Sequence, residues 1–135
     1  MEDAEIALVL IGSSAGTAKV TVDALRARGI PAGLVKIRVF RPFPAEELAQ
    51  TLKNVKALAI LDKAESFSAQ GGPLFAEVRA ALYDLEPRPR TVGYVYGLGG
   101  RDITPAHFAS VFARLEAIAA GGELGPVYSH LGQRG

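Results

Sequence analysis

The chain has 135 residues, 49% of them hydrophobic and 21% charged, with a formal net charge of +1. That balance belongs to a globular chain long enough to bury roughly two-thirds of its unfolded surface, and it points to no nucleic-acid surface. There is no cysteine, which excludes disulfides and thiolate-held zinc or iron–sulfur centres within the chain and fits a reducing, cytoplasmic setting. No apolar run approaches the roughly 20 residues of a membrane span, so no membrane is expected as a partner. The start, Met1-Glu2-Asp3, is acidic, unlike a secretory leader.

The first element is Ile6-Ala7-Leu8-Val9-Leu10-Ile11, apolar without alternation and stopped by Gly12. A strand with one wet face alternates; an unbroken run predicts a central strand of a parallel sheet covered on both faces. Ala18, Val22 and Leu25 recur at helical spacing and predict a helix from about Gly16 to Arg28, capped by Gly29. Gly33 to Phe40 reads as a strand nearer the edge, with Val35, Ile37 and Val39 on one side and Lys36 and Arg38 on the other. Arg41-Pro42-Phe43-Pro44 is a rigid turn into a second helix. Glu46 and Glu47 suit its first turn, Leu48 and Leu52 its apolar face, and it ends near Lys53-Asn54.

Val55 to Leu61, broken only by Lys56, predicts a second central strand ending at Asp62. Pro73 opens a third helix with Leu74, Phe75, Val78 and Leu82 inward. Glu86 to Arg90 is a proline-rich connector. Thr91 to Tyr96 is the fourth strand. Thr104 and Pro105 suit the cap and first turn of a fourth helix, buried through Phe108, Val111, Phe112, Leu115 and Ile118 and ended by Gly121-Gly122. Val127-Tyr128 can add a short edge strand in the tail. The expected fold is a three-layer α/β/α arrangement with a doubly wound, mainly parallel sheet in the order 2-1-3-4, spanning residues 1–135 as one domain. A first strand this close to Met1 leads us to expect a fragment of a longer chain.

A parallel sheet of this kind places the loops 12–17, 40–44, 62–73 and 97–104 on one edge, where ligands and partners sit. The candidate docking or ligand residues are there: Ser13, Ser14, Gly16, Thr17, Arg41, Asp62, Glu65, Ser66, Gly71, Gly72, Gly97, Gly99, Gly100, Arg101 and Asp102. The first loop has neither the P-loop nor the dinucleotide-binding spacing, so a hydroxyl-capped turn outweighs an anion site. Three glycines in Gly97 to Gly100 permit a close approach by a ligand or a neighbouring chain, or make a tight turn. Arg101-Asp102 reads as a capping or docking pair. Asp62 and Glu65 could form an acid/base pair, but a strand-end Asp more commonly caps a turn. Ser66 and Ser68 lack a nucleophile-elbow context. His107, on the polar side of the last helix, reads as solvated, and two separated histidines without cysteine make a poor metal site. The residues alone yield no self-sufficient catalytic set, and the loop edge reads as a docking face.

Val39-Phe40-Arg41-Pro42-Phe43-Pro44, Asp62 to Pro73 with Gln70-Gly71-Gly72-Pro73, and Tyr96-Gly97-Leu98-Gly99-Gly100-Arg101-Asp102-Ile103-Thr104 together resemble one family. It is the second, C-terminal domain of the alpha chain of pyruvate:ferredoxin oxidoreductase and its 2-oxoacid relatives. Gly12 to Thr17 also matches, and the likeness runs over about residues 5 to 131. The resemblance implies the fold of the transketolase C-terminal domain, in which a further antiparallel strand precedes the first strand seen here. It implies a complete enzyme that uses thiamine diphosphate, magnesium, iron–sulfur clusters and coenzyme A, converts pyruvate to acetyl-CoA and reduces ferredoxin. The cofactor sites belong to other domains or subunits, so no catalytic, cofactor-binding or metal-binding residue carries over. The expected role is assembly beside the thiamine-binding domains. The alternative is a regulatory module binding a nucleotide or acyl-CoA through loops 12–17 and 97–104. A third reading, a thiamine enzyme without ferredoxin such as a branched-chain 2-oxoacid dehydrogenase, is opposed by the Arg101 to Thr104 ending, by resemblance alone.

Overall fold

A computed structural model describes residues 3–10, 15–37, 45–63, 73–86, 88–96, 104–122, 125 and 127–131. The elements follow as β1 (Ile6–Leu10), α1 (Ala15–Ala27), β2 (Ala32–Lys36), α2 (Ala45–Leu52), β3 (Ala57–Lys63), α3 (Pro73–Leu82), β4 (Arg90–Tyr96), α4 (Pro105–Ala119) and β5 (Tyr128–His130). The sheet order is β2-β1-β3-β4-β5, with every pair parallel. The expected order 2-1-3-4 is thus observed, and the tail adds the edge strand one residue later than expected. All four strands that precede a helix end on the same edge of the sheet.

The unbroken apolar run of β1 has a direct structural cause. Ile6, Leu8 and Leu10 face one core, with Ala18, Val22 and Leu25 of α1 and Phe108, Val111, Phe112, Leu115 and Ile118 of α4. Ala7 and Val9 face the other, with Leu48 and Leu52 of α2 and Leu74, Phe75, Val78 and Leu82 of α3. β3 divides in the same way: Leu58 and Ile60 meet the second core, while the small Ala57 and Ala59 share the first with Phe108 and Phe112 of α4, which lies against β3 and β1.

Strand boundaries differ from the sequence reading in β2 and β3, and β4 begins one residue early, at Arg90. β3 begins at Ala57, because the Val55 N–H turns back to the Leu52 carbonyl at 3.0 Å and closes α2. It then runs on through Asp62 and Lys63, which pair with Val95 and Tyr96. β2 begins one residue earlier than the reading, at Ala32, and ends at Lys36, although the Ile37 N–H still bonds the Leu10 carbonyl at 2.9 Å; Arg38 to Phe40 lie outside the described residues. The termini of α1 are legible in bonds. Gly29, at φ +81°, donates to the Arg26 carbonyl while Ile30 donates to Leu25, both at 3.0 Å. This left-handed stop closes the helix and packs Ile30 on the first core, and only glycine takes it without strain.

Candidate functional site

Three of the sequence-derived candidates lie among the described residues: Gly16 and Thr17 in the first turn of α1, and Asp62 near the end of β3. Because β1 and β3 are neighbours, all three are carried to the same sheet edge, at the point where the winding direction reverses. Ser13, Ser14, Arg41, Glu65, Ser66, Gly71, Gly72, Gly97, Gly99, Gly100, Arg101 and Asp102 lie outside the described residues.

Asp62 is 3% exposed. Its Oδ1 accepts the Leu74 N–H at 2.9 Å and its Oδ2 accepts the Phe75 N–H at 3.0 Å. Those amides belong to the first turn of α3, which has no carbonyls of its own to offer them. A carboxylate at this position also opposes the positive end of the helix dipole. Asp62 therefore caps α3 from a neighbouring strand, twelve residues upstream, and ties the end of β3 to the start of the helix. Its two backbone donors make Asp62 a structural acceptor, and Glu65, the other half of the acid/base reading, lies outside the described residues.

Gly16 is exposed, and a Cβ built on it would meet no described atom within 4 Å. Its φ is not in the left-handed region. Neither a left-handed φ nor close packing among the described residues accounts for glycine at this helix start. One turn on, Val20 is 65% exposed. Thr17 is half-buried, and its carbonyl accepts the Thr21 hydroxyl at 3.4 Å.

The start of α4 corrects the reading of His107. The Thr104 Oγ1 accepts the His107 N–H at 3.3 Å, and the His107 Nδ1 accepts the Thr104 N–H at 3.0 Å. This is a reciprocal capping box in which histidine fills the place more usually held by Glu or Gln. His107 is half-buried and structural, and the third-position rule for glutamate hid it in the sequence.

Among the described residues, no group of three or more His, Cys, Asp or Glu side chains could hold a metal ion. The chain has no cysteine with which to hold an iron–sulfur cluster. No helix among the described residues is long and apolar enough to cross a membrane.

The fold itself defines a class. The transketolase C-terminal type of α/β/α domain is seen in "Split gene transketolase, inactive beta4 tetramer", a structure that matches 93% of this chain and 41% of its own with a TM-score of 0.57 at 22% identity. Residues 4–108, more than half of the chain, match the family described as pyruvate:ferredoxin oxidoreductase core domain II, and the chain belongs to that family. Pyruvate synthase subunit PorA of Thermotoga maritima is 48% identical over 112 residues, which are 83% of this chain and 28% of that protein. Ketoisovalerate oxidoreductase subunit VorA of Pyrococcus horikoshii is 41% identical over 124 residues, 92% of this chain and 31% of that protein. The chain spans less than a third of the length of either relative.

Proposed function

We propose that residues 1–135 form one domain of a longer alpha chain in a cytoplasmic 2-oxoacid:ferredoxin oxidoreductase, where it serves assembly rather than chemistry. In this reading the complete enzyme oxidatively decarboxylates pyruvate, or a related 2-oxoacid, with coenzyme A and passes the electrons to ferredoxin. Thiamine diphosphate, magnesium and the iron–sulfur clusters are held by the partner domains and subunits, and the loop edge of this domain packs against them.

The observation that carries the reading is the family match over residues 4–108. Two others support it. Relatives named for pyruvate and for ketoisovalerate share this domain at 48% and 41% identity, which fits a part that does not select the substrate. Asp62, the one described carboxylate among the candidates, is consumed in capping α3. The test compares the 135-residue chain with its parent assembly, both handled without oxygen. Pyruvate decarboxylation dependent on thiamine diphosphate should be found in the assembly and be undetectable for the chain alone. Sustained turnover by the chain alone would refute the assembly role.

A further inference from the structure

The opposite edge of the sheet carries a second surface. Two described helices lie on each face of the five-stranded sheet, and the core under α2 and α3 includes no residue of β4 or β5. A groove of about 880 Å³ runs along the outer face of α3, bordered by the start of β4 and by Val127. Ala76, Ala80 and Tyr83 line it from α3 and the turn that follows. Tyr83 is 69% exposed and Val127 38% exposed.

Three arginines converge on this groove: Arg79, Arg88 and Arg90. The Arg79 guanidinium lies over the Phe75 ring and that of Arg88 over the Tyr83 ring, each 5.1 Å from the centroid. Arg90 donates to the Gly122 carbonyl at 3.1 Å. Among the described residues none of the three has an ion-pair partner, while Lys19, Arg26 and Lys56 are each matched with a carboxylate. Among the described lining residues three arginines stand against one carboxylate, Asp84. A guanidinium stacked on a ring keeps its in-plane N–H groups free, in the fork geometry that carboxylates accept in pairs. Exposed tyrosine and arginine around a small apolar floor are also what the energetic centre of a protein interface consists of. Enclosed ligand pockets surround most of the molecule that they bind; this groove leaves its central ring mostly open.

We propose that this groove docks an acidic segment of a different polypeptide in the parent assembly, with carboxylates on Arg79 and Arg88 and an apolar side chain between Tyr83 and Val127. The inference goes beyond the loop-edge role above and does not depend on which 2-oxoacid the assembly uses. It is tested in the full-length parent protein in its native cells, with the photo-crosslinker p-benzoylphenylalanine in place of Tyr83 and mass spectrometry of the captured peptide. The expected product joins position 83 to an Asp/Glu-rich peptide of another chain. The pair Arg79→Glu and Arg88→Glu should lower its yield about tenfold or more, as like charges do across an interface, while Arg79→Lys with Arg88→Lys retains most of it. Should the reversed pair fail to accumulate, irradiation of extracts at about 0.5 M salt, where screening acts within about 4 Å, must give the same loss. No product, a product with a second copy of this chain, a captured peptide without acidic residues, a groove shielded by added pyrophosphate instead of by protein, or a yield indifferent to charge reversal and salt would each overturn the proposal.

Discussion

Replacing Asp62 separates a structural carboxylate from a catalytic one. In Asp62→Ala the N–H groups of Leu74 and Phe75 lose acceptors at 2.9 and 3.0 Å in a site that is 3% exposed. A buried donor left unsatisfied costs about 1–3 kcal/mol, and removing the carboxylate relieves part of its own desolvation, so the net loss is about 2–4 kcal/mol. Asp62→Asn keeps one acceptor oxygen and should lose about half as much. Set against a total stability of about 5–15 kcal/mol, the alanine variant stays folded but melts about 10–15 °C lower. Urea unfolding followed by far-ultraviolet circular dichroism measures the loss, and hydrogen exchange at the Leu74 and Phe75 amides locates it. A loss under about 0.5 kcal/mol with protection of those two amides unchanged would refute the capping argument.

Four further outcomes follow from the same structure. Gly16→Ala adds a Cβ where no described atom lies within 4 Å, so it should stabilise the isolated chain by roughly 0.5–1 kcal/mol; if α1 meets a partner there, Gly16→Leu should weaken subunit association in the assembly, read by native mass spectrometry, without lowering the chain's own melting temperature. His107→Ala breaks the capping box and should cost about 0.5–1 kcal/mol in urea unfolding, while His107→Gln restores most of it. Phe112→Ala, fully buried opposite Ala57 and Ala59, should cost about 3–5 kcal/mol by the same measurement. The Arg26 guanidinium, bonded to Asp3 at 2.6 Å, holds that carboxyl below its ordinary range. The ion pair therefore stabilises the fold at pH values above the ordinary carboxylate range, and the contribution disappears as pH falls through the lowered native value. Asp3→Asn should be slightly less stable than the parent sequence at neutral pH and equal to it in acid, with the difference reduced by salt.

The centre of the fold was legible because burial on both faces leaves a plain mark. Ile6 to Leu10 and Ala57 to Leu61 carry no alternation, and that placed them in the middle of the sheet. The ends of β3 were less legible. Val55 extends the apolar run but belongs to a turn, and the charged Asp62 and Lys63 belong to the strand. Asp62 shows what local pattern leaves open: its residue type fits both a cap and a general base, and only the return of α3 twelve residues later decides between them. The arginine groove was hidden for a related reason. Arg88 lies in a connector and Arg90 opens β4, on either side of the buried Pro89, and Arg79 sits on an outward helix face. They converge because the end of α3 and the start of β4 meet at one groove, a juxtaposition that no single stretch of sequence records.

The central claim is that this domain works inside a 2-oxoacid:ferredoxin oxidoreductase. It is tested most directly by tagging the parent protein in its source cell, purifying it gently without oxygen, and assaying ferredoxin reduction with pyruvate and with ketoisovalerate. The account predicts recovery of the domain within a longer chain, together with cluster-bearing subunits and ferredoxin reduction driven by one of the two acids and dependent on coenzyme A. Recovery of a free 14.2 kDa protein without partners or that activity would contradict it.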